Sequence, residues 1–71
     1  MIFDISNGKL TSLKDVKFPA GVTTLFCGGN QLTSLEHCPG GVTELYCRYN
    51  QLTESVIDEF RKSHPRCNVI A

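Results

Sequence analysis

The chain has 71 residues, with seven Lys and Arg against seven Asp and Glu, four Cys and two His. That length holds one small domain, and a net charge of zero gives no field that would draw nucleic acid or an acidic membrane surface. No stretch reaches the ~18 apolar residues of a membrane span, and Asp4 breaks the opening apolar run too early for a signal peptide, so the expected compartment is the cytoplasm.

The first element is a short strand at FDI, residues 3–5, where Phe3 and Ile5 alternate with Asp4 and so face one way. A connection containing KDVKFPAG follows. The second element lies in GVTTLFCGGNQLTSL, Gly21 to Leu35, where Leu25 and Cys27 flank Phe26 with the same period of two. Twenty residues later GVTELYCRYNQLTES, Gly41 to Ser55, writes this frame again. Leu45 and Cys47 now flank Tyr46. The opening segment is a worn third copy. A shift of twenty-two residues lays Phe3 over Leu25, Ile5 over Cys27, Gly8 over Asn30 and Leu10 over Leu32.

Segments that return to their start in this way pair in parallel. Equivalent residues then lie at the strand spacing of about 4.8 Å. No copy buries its apolar edge alone, but three in a stack share a continuous core.

The pattern L-x-x-L-x-C-x-x-N-x-L-T-x-L is carried by Val22, Leu25, Cys27, Asn30, Leu32 and Leu35, and again by Val42, Leu45, Cys47, Asn50 and Leu52. It resembles the leucine-rich repeat, in its short form of about twenty residues with a Pro-containing return. The resemblance covers residues 3–55. It implies an α/β, strand-rich solenoid: a short parallel sheet of about four strands on one face, irregular return segments and one C-terminal capping helix. The single domain, residues 1–71, would divide into coils at about 1–21, 22–41 and 42–54, closed by a helix and strand over 55–71. Gly8 departs from the pattern, since Asn is expected there, and predicts an irregular first turn.

Within such a stack a thiol behaves as a small hydrophobe, so Ile5, Cys27 and Cys47 form an inward ladder. Thiols side by side on parallel strands suit a disulfide poorly. Reduced structural thiols are therefore the first reading, with a disulfide and a metal site as the alternatives. Asn30 and Asn50 stand where the strand bends away, and each amide is expected to hold backbone groups of its own and the next copy. Cys38 is read as packing inward from the return segment. His37 beside it is the nearest metal ligand, but no Cys-x-x-Cys or His-x₃-His spacing exists, and neighbours on an extended chain face apart. No metal and no cofactor is expected.

After Thr53 the period changes. Val56, Ile57 and Phe60 form one face of a short helix, capped by Thr53 or Ser55. Glu54, Asp58 and Glu59 precede Arg61 and Lys62, the order the helix dipole favours. His64 before Pro65 ends it, and NVIA forms a last strand with Val69 inward and Ile70 outward.

Function is sought in what varies between the copies. Asp4, Phe26, Tyr46 and Ile70 point away from the core in one column, with Thr24 and Glu44 on one flank and Arg48 and Tyr49 on the other. In leucine-rich repeats this face binds partners, which the resemblance implies here. An aromatic pair beside charges of both signs is also the composition of an interface hot spot. The expected function is a non-enzymatic protein–protein interaction module with these eight residues as its contact surface. The alternative is a structural, self-assembling part that pairs with itself, since the strand at IFDIS is an open edge and invites a homodimer. No catalytic residues are assigned. The possible nucleophiles and bases lie on different parts of the frame, and no phosphate loop or nucleophile elbow is present.

Overall fold

The computed structural model describes residues 1–71. Three strands, β1 (Ile2–Asp4), β2 (Thr24–Phe26) and β3 (Glu44–Tyr46), precede one helix, α1 (Glu54–Ser63), and a last strand, β4 (Asn68–Ile70). The strands form a single four-stranded sheet in the order β1-β2-β3-β4, and every pairing is parallel. The result is a small α/β domain. No helix in it is long and apolar enough to cross a membrane.

The register follows the sequence frame. Phe3, Leu25, Leu45 and Val69 stand in one row, and Asp4, Phe26, Tyr46 and Ile70 in the next. Alternation then sends the first row to the core and the second away from it. Leu25 and Leu45 are fully buried, as are Cys27 and Cys47 just beyond the strand ends. Around them pack Leu13, Val22, Leu32, Leu35, Val42, Phe60 and Val69. All four cysteines are free thiols, with Cys38 and Cys67 half-buried against this core.

The first three strands are short because each is followed, three residues on, by a residue in the left-handed backbone region: Asn7 at φ 58°, Gly29 at 67° and Tyr49 at 59°. The first turn thus repeats the backbone of the other two, and the irregularity expected from Gly8 does not occur. Hydrogen bonds continue past the strands, with Ile5 N–H donating to Phe26 O, Cys27 N–H to Tyr46 O and Gln31 N–H to Leu10 O.

The asparagine amides reach the other way from the expectation. Asn30 donates to Cys27 O in its own segment and to Ile5 O in the preceding one, while its Oδ1 accepts from Gly8 N–H and Leu10 N–H. Asn50 likewise donates to Cys47 O and Cys27 O and accepts from Leu32 N–H. The side chain leans toward the segment already laid down, because that segment's return backbone has donors without partners of their own. Gly8 fits this geometry: a Cβ there would lie 2.9 Å from Asn30 Oδ1.

At the far end, Thr53 caps α1, its hydroxyl accepting from Val56 N–H at 3.2 Å. Phe60 is buried, with Val56 and Ile57 half-buried beside it. Arg61 Nη2 donates to Val69 O at 3.0 Å. His64 closes the helix, its N–H on Phe60 O and its ring stacked on Phe60 at 4.0 Å.

Candidate functional site

The face of the sheet away from the core carries the candidate surface. Each strand contributes two outward residues, one on either side of its inward centre, so the columns are built by register alone. Phe26 and Tyr46 are neighbours in one of them, their rings stacked 4.6 Å apart and 14° from parallel. Both are half-buried because each covers one face of the other. Pairs of this kind are worth about 0.5–1.5 kcal/mol beyond buried area. Tyr46 donates a long hydrogen bond, 3.5 Å, to Glu44 Oε2, which limits the ring's freedom further.

The remaining predicted residues fall into distinct settings. Thr24 and Glu44 pair in register as the flanking row. Asp4 heads the aromatic column at the β1 edge, but its carboxylate turns onto Ser6, accepting from the Ser6 N–H at 2.9 Å and from the Ser6 hydroxyl. Those two hydrogen bonds hold its carboxyl below the usual carboxylate range. Ile70 ends the column on β4, three strand spacings or roughly 14 Å from Asp4. Phe26, Tyr46, Thr24 and Glu44 are thus brought together, and Asp4 and Ile70 mark the two ends of the face.

Arg48 and Tyr49 stand past the end of β3, both exposed. Tyr49 is 84% exposed and holds a left-handed backbone. An L-residue with a bulky side chain pays roughly 1–2 kcal/mol for that conformation. Its counterpart Gly29 takes the same φ without that cost, and a Cβ on Gly29 would fall 2.5 Å from Asn7 Oδ1. A side chain at 29 would be strained and would have to displace Asn7, so Tyr49 rises beside a bare patch of backbone.

Several features of the site and its support had no local signal. Phe18, from the longer first connection, packs edge-on against Phe3 at 5.6 Å and 64°. An aromatic in the longer connection KDVKFPAG is the only hint. Asn7 as a turn residue was also open to reading, since Asn tolerates the left-handed region.

Elsewhere the surface has three shallow clefts. The largest, about 390 Å³, lies on α1 between Asp58, Arg61 and Ala71. Asp58 and Glu59 open onto different clefts, as consecutive helical residues must. His37 has φ 73°, so the stretch around Cys38 is not extended, contrary to the sequence expectation that His37 and Cys38 face apart on an extended chain. No group of three or more His, Cys, Asp or Glu side chains converges in a way that could hold a metal ion.

Burial pushes the thiols of Cys27 and Cys38 up to about 12, with nearby thiols adding to the effect. Cys47 is raised for the same reason, partly offset by Arg61. These are packing groups with little thiolate character.

No protein-family model, no curated protein and no solved structure matches this chain.

Proposed function

We propose that the chain is a minimal leucine-rich-repeat solenoid that acts as a non-enzymatic, cytoplasmic protein–protein interaction module, contacting a protein partner through the outward face of its sheet. The observation that carries this reading is the Phe26–Tyr46 stack on a face that the core does not use. Two rings held by each other and by backbone register have little side-chain entropy left to lose on docking, which is how aromatic anchors reach high contact energy. Glu44 on one side and Arg48 on the other supply charges of both signs for orientation.

Tyr49 supports the same reading. Its exposed ring and left-handed backbone cost stability and return none through burial, a pattern that points to a role outside folding. Free interior thiols suit a reducing compartment.

The experiment is a capture from host lysate with the wild-type chain and a Phe26→Ser, Tyr46→Ser double variant. The double variant stays folded, with melting lowered by the lost ring pair, and its captured partner binds about thirtyfold more weakly, the loss of a ~2 kcal/mol hot spot. Equal binding by both chains removes the aromatic face from the account.

A second reading, a self-assembling component with no foreign partner, is favoured by one feature: the uncovered edge of β1.

A further inference from the structure

The two edges of the sheet differ. In a parallel ladder alternate residues turn their N–H and C=O groups to opposite sides. On β4 the pairing residues use Asn68 and Ile70 toward β3, so Val69 faces outward, and Arg61 already holds its carbonyl. On β1 the bonds to β2 run through Met1 O and Ile5 N–H. The N–H and C=O of Ile2 and Asp4 therefore point outward from the free edge. Ile2 is 65% and Met1 54% exposed. Behind this edge Phe3, Ile5, Leu10, Val16 and Phe18 are only partly buried, although the register equivalents of Phe3 and Ile5 are fully enclosed.

We infer that β1 pairs antiparallel with β1 of a second copy about a two-fold axis at Phe3. Groups that need both donors and acceptors at strand spacing are satisfied by another strand. Two registers bring the outward residues of both copies fully into play or into conflict. Placing Asp4 opposite Asp4 sets like charges face to face. Placing Ile2 opposite Asp4 of the second copy avoids this, forms four backbone hydrogen bonds, and sets the two Phe3 side chains against each other as a close, non-hydrogen-bonded pair. The second register joins the two half-open ends of the core. A head-to-tail filament of β1 on β4 is disfavoured because Arg61 occupies the β4 edge, so the assembly closes as a dimer. This deepens the self-assembling reading and does not depend on the aromatic face.

The test is sedimentation equilibrium of the wild type, Ile2→Glu and Ile2→Lys, with the amide hydrogen exchange of Ile2 and Asp4 followed against chain concentration. Ile2 is exposed, so both variants keep the fold, which their melting curves at low concentration report. Each charge lies opposite Asp4 of the second copy, twice per dimer. Lysine therefore holds the dimer on the order of tenfold or more tighter than glutamate, and the wild-type Ile2 and Asp4 amides gain protection as concentration rises. A chain that is monomeric up to near-millimolar concentration overturns the inference. So does a dimer that both charges weaken alike, or one in which those two amides gain no protection. Phe26→Ser with Tyr46→Ser leaves the dimer intact, so failure here and failure of the partner-binding reading are distinguishable.

Discussion

The first segment and the last are built on the same sheet and finished differently. At the C-terminal end, α1 lays Phe60 into the core and Arg61 onto the edge carbonyl of β4. The N-terminal end has no helix, and Phe3 and Ile5 remain half-open with only Phe18 leaning on Phe3. A stack of short strands needs its last apolar row covered at each end. One end uses its own chain for this, and the other presents backbone and side chains that a second surface can cover. The middle segment has neighbours on both sides, and there Asn30 is the only buried polar residue.

The largest effect expected separates middle from end. Asn30→Leu strands Gly8 N–H, Leu10 N–H and Ile5 O, each costing ~1–3 kcal/mol when unsatisfied, while Cys27 O keeps its bond from Asn50. The sum, about 3–9 kcal/mol, is comparable with the whole stability of a domain this size, so the variant should be largely unfolded by circular dichroism. Asn50→Leu acts at a half-buried position where water replaces part of the loss, and a folded chain with a lowered melting point is expected. Equal damage at the two positions would break the distinction between an enclosed and a peripheral amide.

The next compares the ends directly. Phe60→Ala should cost about 3–5 kcal/mol, the range for a buried aromatic, in a urea titration. Phe3→Ala should cost less than half as much in dilute protein, because Phe3 is already partly solvated. A larger loss at Phe3 would mean that the N-terminal end is as closed as the helical one.

A third effect is absent at neutral pH and grows with alkali. Cys27 and Cys38 ionise near 12 in the folded chain against an ordinary 9.0. Raised folded values favour the neutral thiol, so their contribution is complete below about 9 and is lost as pH rises toward 12. The urea midpoint should fall over that window, and Cys27→Ala should flatten the fall. Under native conditions a thiol reagent should modify half-buried Cys67 before enclosed Cys27.

The smallest effect concerns Tyr49. Tyr49→Asn relieves a left-handed backbone that Asn tolerates, so melting should rise by the equivalent of ~0.5–1 kcal/mol. If the outward face binds a partner, the same change should weaken that binding, a gain in stability set against a loss of contact.

Much of the architecture is legible in the sequence. Leu25, Cys27, Leu45 and Cys47 face inward by a period of two, and the register follows from the twenty-residue offset between β2 and β3 and the twenty-two-residue shift of β1. Thr53 announced the helix start, and Val69 and Ile70 alternate as read. The direction of the asparagine amides was not legible, because a side chain's own letter does not say which neighbouring segment has donors to spare. Arg61 on Val69 and Phe18 on Phe3 were hidden for the same reason: each joins residues through space with no periodic signal. The candidate surface was readable as a list, but the ring stacking, the Asp4–Ser6 clasp and the conformation of Tyr49 were not.

The sequence by itself determined which side chains alternate, where the frame restarts and which stretch becomes a helix, since these depend on spacing along the chain. The tertiary structure decided which backbone groups were left for Asn30 and Asn50 to satisfy, which edge of the sheet Arg61 would close and which would stay open. Those outcomes depend on what lies beside a residue in space, and that is settled only when all the segments are in place.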